Sequence, residues 1–200
     1  MKSTTIEREQ GHEDVAWSSR DDVSLMGAVA RGDVAAFQEL LDRHMTAVYH
    51  FCFSILRDSC AAEDVTQETC VTVWRQAGRW SPEGKLRSWI FRIAHNLCID
   101  EIRRRRPHAD IDLFAESLAD DTQTPTLRHI EETESSRMIK DALYELPVRQ
   151  RTALMLVHYS DLSNREAATV MGISVDAIES LLARGRRTLK VLLSHHKEHM

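Results

Sequence analysis

The chain has 200 residues, of which 42% are hydrophobic and 28% are charged, and its formal net charge is −5. This length suits one large domain or two small ones, and the apolar content excludes a disordered chain. No apolar run approaches the ~20 residues that a membrane helix needs, and the first residues contain no apolar core of a signal peptide. We therefore expect a cytoplasmic protein that does not insert into a membrane.

Helices are expected to dominate, because apolar residues recur at three- and four-residue spacing and only 7 Gly and 4 Pro interrupt them. Residues 1–21 lack this period, which predicts a disordered N-terminal tail. A short helix is predicted after Asp22 and should stop at Gly32, a residue that suits a helix C-terminus. Asp33 is predicted to cap a long second helix.

Two further helices complete the first predicted domain, residues 22–106. Ser59 is predicted to cap the third helix, which runs to about Gly78. The fourth is predicted to begin at Lys85 and to end in a run of arginines, because Pro107 cannot continue it.

The rest of the chain is predicted to form a linker, a second domain and a short tail. Residues 107–128 are rich in Asp, Thr and Pro and lack a periodic core, which predicts a flexible acidic linker. The second domain is predicted over residues 129–194, followed by a tail at 195–200. The expected fold class is therefore all-α, with two small helical domains joined by the linker.

The second domain contains a pattern that is typical of a helix-turn-helix. Pro147 is placed to start one helix, and Ser163 and Glu166 have the S-x-x-E spacing of a capping box at the start of another. That helix should end at Gly172, and Ser174 can cap the next one only two residues later. Two helices joined by so short a turn predict a helix-turn-helix, although a basic amphipathic helix on an ordinary bundle fits the same residues.

The last helix divides into an apolar and a polar arc on a 100° wheel. One arc is expected to face the core and comprises Val175, Ile178, Leu182, Gly185, Leu189 and Leu193. The opposite arc carries small, polar and cationic residues that suit a DNA major groove, namely Asp176, Ala177, Ser180, Ala183, Arg184 and Arg187.

The fourth helix shows a similar division. Its apolar arc holds Leu86, Trp89, Ile90, Ile93 and Leu97, and beside it lies a polar stripe of Ser88, Arg92, Asn96 and Arg103. Such a stripe can follow a phosphate backbone, and Trp80 with the loop at 82–84 can hold an unstacked base. Tryptophan is also a common core residue, so a structural role for Trp74, Trp80 and Trp89 stays open.

Charge is distributed unevenly along the chain, and for DNA binding this distribution matters more than the negative net charge. Basic residues cluster at 85–106 and 184–190, and acidic residues crowd the N-terminal tail and the linker. Two basic patches separated by an acidic tether predict two separate DNA contacts. On the third helix, one face is expected to be solvated or to dock a protein partner, and it comprises Asp64, Gln67, Glu68, Val71 and Arg75.

Three segments together resemble a known family. Residues 64–69 with 73–75 resemble the D-x-x-Q-E…W motif of sigma-factor domain 2, and residues 87–97 with 99–100 are similar to the DNA-melting helix of that domain. The segment from Leu146-Pro147 through Arg187 resembles domain 4. The chain is identified as a member of the sigma factors of the extracytoplasmic-function (ECF) type, with a short linker in place of domain 3.

The resemblance implies a non-enzymatic transcription-initiation factor without a cofactor, whose partners are core RNA polymerase, promoter DNA and an anti-sigma factor. The third-helix face Asp64, Gln67, Glu68, Val71 and Arg75 would bind core polymerase. The minus-ten element would contact Trp80, Lys85, Ser88, Arg92, Asn96 and Arg103. The minus-thirty-five element would contact Arg165, Ser174, Asp176, Ala177, Glu179, Ser180, Ala183, Arg184 and Arg187. A stress regulon under anti-sigma control is the expected biological setting.

The sequence departs from the family in the recognition helix. Where many members have basic residues, this chain has Glu179 and Leu181, and Gly185 occupies a helix interior at a cost of about 1 kcal/mol relative to alanine. Glu179 can accept a hydrogen bond from cytosine N4 or can leave the groove less tightly held.

Two other classes of protein remain open on the residues alone. A stand-alone helix-turn-helix regulator would dimerise and bind duplex DNA unaided. A metal or redox sensor would use His195, His196 and His199, or the four cysteines, but no CxxC pair or completing ligand is present and the expectation is no metal site. No nucleophile–base pair or phosphate-binding glycine loop is recognisable, so catalysis has no candidate residues.

Overall fold

A computed structural model of the chain describes residues 21–105 and 134–198. The predicted tails and linker fall almost entirely outside these ranges. The described residues form helices and short connections without a β-strand, which confirms the all-α expectation. The helices are α1 (Asp22–Ala30), α2 (Val34–Leu56), α3 (Ser59–Gln76), α4 (Leu86–Arg105), α5 (Glu134–Glu145), α6 (Val148–Leu154), α7 (Asn164–Met171) and α8 (Val175–Glu198).

The boundary between the first two helices lies where the sequence predicts, while α1 begins at Asp22 with Asp21 as its cap, one residue earlier than expected. The Asp33 carboxylate accepts a hydrogen bond from the Ala36 backbone N–H at 3.0 Å, which caps α2. Gly32 has φ +87°, a left-handed conformation that glycine adopts without steric cost. Behind these caps, α1 to α4 enclose a core in which the rings of Phe51 and Phe91 meet edge to face at 5.1 Å.

The cap of α3 differs from the prediction by one residue. Asp58, rather than Ser59, is the capping residue, and its carboxylate accepts from the Ala61 N–H at 3.0 Å. Asp58 has extended backbone angles, whereas Ser59 already belongs to the helix. A 3₁₀ turn over Ala77–Arg79 then continues the chain beyond α3.

The second group of helices, α5 to α8, contains the predicted helix-turn-helix. Pro147 precedes α6, and a π-helical turn over Met155–Tyr159 prolongs that helix, with the Ser160 N–H donating to the Met155 carbonyl at 2.9 Å. The core of this group includes Leu154, Leu156, Ile178 and Leu182, each with at most 3% of its surface exposed.

The two helical groups are not separate in the structure. Helix α4 packs against α7 and α2 packs against α6, so that buried residues of both groups form one continuous core. The rings of Phe53 and Tyr144 meet edge to face across this interface at 5.9 Å. The sequence predicts two tethered domains, and nothing in it indicates that they dock on each other.

Candidate nucleic-acid and polymerase interfaces

Helices α7 and α8 are fixed by hydrogen bonds at both sides of the turn between them. The Glu166 backbone N–H donates to Ser163 Oγ at 3.3 Å, and the Ser163 N–H donates to the Glu166 carboxylate at 2.7 Å, which completes the predicted capping box. Gly172 ends α7 with φ +64°, and the Ala177 N–H donates to Ser174 Oγ at 3.2 Å. This short, capped turn fixes the position of α8 relative to α7.

The polar arc of α8 is accessible, as its period predicts. Asp176, Glu179, Ser180, Ala183, Arg184 and Arg187 are exposed, Ala177 is half-buried, and Arg165 on α7 is exposed beside them. A shallow groove of about 440 Å³ runs along this face between α8 and the start of α6. Of the six residues on the predicted core arc, Ile178, Leu182 and Gly185 are buried, whereas Val175 is 37% exposed.

A side-chain contact inside this face was not predicted from the sequence. Asn164 Nδ2 donates to Glu179 Oε1 at 3.4 Å, joining the first turn of α7 to the exposed side of α8. The contact restrains the carboxylate that departs from the family's basic pattern.

A cavity of about 660 Å³ lies where the connection before α4 meets α1, α2 and α7. Trp80, Pro82, Lys85, Arg87 and, from α7, Glu166 line it together with neighbouring residues. Trp80 is half-buried against the core and also lines this cavity, so its packing against the core does not withdraw the ring from the cavity. Along α4, Arg92, Asn96 and Arg103 are exposed and Ser88 is half-buried, which leaves the predicted stripe accessible.

The predicted docking face of α3 is open along its whole length. Asp64, Gln67, Glu68, Val71 and Arg75 are all exposed, and Val65, Thr69 and Val73 on the opposite side are buried. Trp74, next to this face, is 37% exposed and its ring packs edge to face on Phe37 at 4.9 Å.

His44 is a titratable group at the cavity that periodicity alone does not single out. It is buried, and its Nε2 lies 3.4 Å from an Asp22 carboxylate oxygen. Burial lowers the pKa of His44; the Asp22 charge opposes this effect, and the nearby Arg87 and Arg43 add to it. The neutral imidazole is therefore favoured.

Arg151 is the second polar residue whose burial the sequence does not reveal. Its Nη1 donates to the carbonyls of Tyr144 at 2.7 Å and Leu146 at 3.3 Å, while Nε and Nη2 find no acceptor among the described residues. Burial, followed by the positive charge of Arg57, lowers the pKa of Arg151 to about 10. The guanidinium thus ties α6 to the end of α5 at an electrostatic cost.

The described residues hold no group of three or more His, Cys, Asp or Glu side chains that could bind a metal ion. The side chains of His195, His196 and His199 lie outside the described set. Within the described set, Cys52 and Cys98 are buried, Cys60 is exposed and Cys70 is half-buried, and all four are free thiols. None of the described helices is long and apolar enough to cross a membrane.

Comparison with known proteins identifies the two helical groups. The model of Sigma-70 region 2 matches residues 40–108, and that of Sigma-70 region 4 matches residues 136–189. The first match contains α3, α4 and most of the residues that line the cavity, and the second contains the helix-turn-helix. The fold and its two surfaces therefore define a two-region sigma factor.

Whole-chain relatives place the protein more narrowly. It is 30% identical over 156 residues to the ECF RNA polymerase sigma factor SigM of Bacillus subtilis, covering 77% of this chain and 93% of that protein. It is 29% identical over 176 residues to SigM of Mycobacterium tuberculosis, covering 88% of this chain and 86% of that protein. The chain belongs to the ECF RNA polymerase sigma factors.

Solved structures agree on the fold. CnrH, in complex with the cytosolic domain of CnrY, matches with a TM-score of 0.64 at 28% identity, over 87% of this chain and 97% of CnrH. The sigma factor RpoE of Bartonella quintana, solved with the anti-sigma factor NepR, matches with a TM-score of 0.67 at 24% identity, over 80% and 98% of the two chains.

Proposed function

We propose that this protein is an alternative sigma factor that binds core RNA polymerase, recognises two promoter elements and promotes DNA melting at the start of transcription. The observation that carries the proposal is that this chain contains both sigma regions in order and belongs to the ECF sigma factors. The proposal assigns polymerase and minus-ten contacts to residues 22–106, minus-thirty-five contacts to residues 129–194, and the tether between them to residues 107–128.

The first contact of the proposed mechanism is with polymerase, through the α3 face defined by Asp64, Gln67, Glu68, Val71 and Arg75. All five side chains are exposed while the opposite side of α3 is held in the core. Docking therefore needs no rearrangement of the helix. A rigid, preorganised face loses little conformational entropy on binding.

The second contact is with the melted minus-ten strand. Lys85 and the α4 stripe Ser88, Arg92, Asn96 and Arg103 offer donors and positive charge along one line, and Trp80 offers an aromatic face at the cavity. Opening DNA gives up about 1.4 kcal/mol of stacking per base-pair step. Stacking of an extruded base on an aromatic ring returns about 1–3 kcal/mol, so captured bases offset the cost of a short bubble without a nucleotide cofactor.

The third contact is with the minus-thirty-five element in the major groove. Arg165, Arg184 and Arg187 are exposed and would meet phosphates. The residues that would approach base edges lie along α8 and are Asp176, Ala177, Glu179, Ser180 and Ala183. Ser174 contributes mainly as the cap of α8, since its Oγ accepts from the Ala177 N–H.

Regulation by an anti-sigma factor is part of the proposal. Both matched proteins were solved as complexes, CnrH with the cytosolic domain of CnrY and RpoE with the anti-sigma factor NepR. We expect an analogous partner here to mask the polymerase-binding and DNA-binding surfaces until a stress signal releases them. The protein would act in the cytoplasm and would carry out no catalysis of its own.

Run-off transcription with core polymerase tests the proposal. Purified protein added to core enzyme on sheared genomic DNA should start RNA at defined sites, and Glu68→Lys should abolish this activity. Glu63→Lys makes the same charge change at an exposed position about 140° around α3 from Glu68, and should stay active. A stand-alone helix-turn-helix regulator would instead shift duplex DNA without polymerase and would start no RNA.

A further inference from the structure

Cys52 of α2 and Cys98 of α4 meet inside the core of the first helical group. Neither side chain has any exposed surface, and α2 packs on α4. The two thiols share a side-chain hydrogen bond. This pair takes no part in the proposed binding of polymerase or DNA.

Two contacts hold these helices together on either side of the thiol pair. The rings of Phe51 and Phe91 meet at 5.1 Å, and towards the helix ends Arg105 Nη1 donates to the Asp58 carboxylate at 2.9 Å. The two cysteines lie between these contacts along both helices. The approach of the two sulfur atoms is therefore fixed by the packing of α2 on α4.

The separation of the two sulfur atoms is within reach of a covalent bond. A hydrogen bond between thiols brings their sulfurs within roughly 4 Å, and a disulfide holds them at about 2.05 Å with the Cβ atoms roughly 3.5–4.5 Å apart. Rotation of the side chains and a small shift of the helices make up the difference. Cys60 and Cys70, by contrast, are about 15 Å apart along α3 and cannot pair with each other in the folded chain.

The Cys98 thiol is held in its protonated form. The hydrogen bond to Cys52 raises the pKa of Cys98 well above its usual value, and burial and the nearby Glu101 carboxylate add to this effect. The thiolate is the nucleophile in thiol chemistry, and neither sulfur is exposed. The pair therefore reacts only when the core opens locally, so its oxidation is slow and needs sustained exposure to an oxidant.

A hydroperoxide can oxidise this pair without another co-reactant. The thiolate of one cysteine attacks a peroxide oxygen, an S–O bond forms as the O–O bond breaks, and the leaving oxygen takes up the proton of that thiol. The second thiol attacks the resulting sulfenic acid, so that an S–S bond forms and the S–O bond breaks with release of water. With hydrogen peroxide, two thiols and one peroxide give one disulfide and two waters. Because the partner sulfur is already in contact, the sulfenic acid condenses before a second peroxide reaches it.

A disulfide at this position would join α2 to α4 without covering the proposed DNA surface. Cys98 continues the buried row of Ile90 and Ala94 at four-residue spacing, whereas Arg92 and Asn96 lie roughly 120–160° around the helix. The link would close a loop of about 46 residues, which removes much conformational entropy from the unfolded chain. The oxidised form should therefore be more stable than the reduced form.

We propose that Cys52 and Cys98 form a reversible redox site, at which a hydroperoxide produces a disulfide that joins α2 to α4 and stabilises the first helical group. In a reducing compartment the pair remains a dithiol until the oxidant persists, and exchange with a small dithiol restores it. The inference is independent of the proposed function, because it concerns only the core behind the binding surfaces.

Oxidation of the full-length chain tests the inference. Cys60→Ser/Cys70→Ser removes the exposed and the half-buried thiol and leaves only the proposed pair. After hydrogen peroxide in native buffer, this variant should lose two hydrogens, or about 2 Da, and should contain no thiol that reacts after denaturation. Digestion should give a cross-linked peptide that contains residues 52 and 98, and dithiothreitol should reverse these changes. The melting temperature of the oxidised variant should rise by roughly 5–15 °C.

Cys52→Ala in the same background is the matched control. It keeps Cys98 without a partner, so it should form no link within the chain, and its melting temperature should not rise with peroxide. If this control fails to fold, the mass and the cross-linked peptide of the parent variant still decide the question, because they need no core substitution. Two thiols that stay free, gains of about 16 or 32 Da in place of the disulfide, or a disulfide that does not raise the melting temperature would overturn the inference.

Discussion

Gly185, in the middle of α8, lies directly against Leu154 of α6. A Cβ atom added at Gly185 would come within 2.9 Å of Leu154 Cδ1 and 3.4 Å of its Cγ, and Leu154 is only 3% exposed. Gly185 has a low helix propensity, but the absence of a side chain at this position lets the recognition helix approach α6 closely. The position of α8 depends on it.

Gly185→Ala is accordingly expected to destabilise the protein despite the better helix propensity of alanine. Propensity favours alanine by about 1 kcal/mol, whereas overpacking a buried contact costs about 1–3 kcal/mol. Urea unfolding should show a net loss of up to about 2 kcal/mol, since the larger effect wins.

Two variants control for the helix-propensity term. Gly27→Ala, inside α1, adds a Cβ whose nearest contact is Arg31 Nη1 at 3.7 Å, and should stabilise the protein by about 0.5–1 kcal/mol. In a Leu154→Ala background, Gly185→Ala should become stabilising because the space is free. Stabilisation by Gly185→Ala in the wild-type chain would contradict this account.

Asp58 connects the start of α3 to the end of α4. Besides capping Ala61, its carboxylate accepts from Arg105 Nη1 at 2.9 Å, and the Ala61 N–H together with Arg105 lowers the pKa of Asp58. Loss of a cap costs about 1 kcal/mol, with a range of roughly 0.5–2. Asp58→Ala should therefore lower the free energy of unfolding by that amount, as measured in urea. Ser59→Ala should change the free energy of unfolding very little. A larger loss for Ser59→Ala than for Asp58→Ala would mean that Ser59 is the cap.

Stability should fall as the pH drops from about 7.5 to 5.5. Burial lowers the pKa of His44, His50 and His95 in the folded state, so the unfolded chain binds more protons across the window below the ordinary histidine value of about 6.5. The stability that these neutral side chains contribute is present above that value and is lost on acidification. Thermal unfolding at the two pH values measures the effect.

His44→Gln should reduce this difference, because it removes one of the three histidines whose pKa is lowered in the folded state. His158→Gln replaces an exposed histidine and controls for the substitution itself. A melting temperature that is unchanged between the two pH values in the wild type would rule out the proposed linkage.

Local sequence signals predicted the parts of the fold that local interactions determine. The Ser163–Glu166 capping box and the left-handed Gly172 follow from short-range backbone geometry, and both are confirmed. The exposed faces of α3, α4 and α8 follow from helical period, which holds for any helix packed on one side. At the start of α3, Asp58 and Ser59 both have side chains that can cap the helix. The sequence does not determine which of the two residues is the cap and which is the first residue of the helix.

The features that the sequence did not predict arise between helices that are distant in the chain. Arginine is usually a surface residue, but Arg151 is buried because carbonyl groups at and just after the end of α5 accept hydrogen bonds from it. Gly185 appears unfavourable until Leu154 is placed beside it. The Lys85–Glu166 ion pair joins residues 81 positions apart, across a linker whose sequence predicts freedom rather than docking.

Base preference at the minus-thirty-five element should depend on Glu179 and on the residue that positions it. Asn164 Nδ2 restrains one carboxylate oxygen of Glu179 at 3.4 Å, which leaves the other oxygen to accept from an exocyclic amine such as cytosine N4. A mismatched base pair in a recognition site typically costs about 1–3 kcal/mol. Holoenzyme selection from promoters with a randomised upstream element should therefore recover cytosine at one position.

Three variants separate readout from affinity in that selection. Glu179→Lys should exchange the selected cytosine for guanine, whose O6 and N7 accept from lysine. Asn164→Ala should relax the preference at the same position without changing the others, because the carboxylate is retained but no longer restrained. Arg165→Ala should weaken binding uniformly across sequences, as loss of a phosphate contact does. The same selected base for wild type and Glu179→Lys would mean that Glu179 does not read DNA, and the recognition face would then be carried by the neighbouring Asp176 and Ser180.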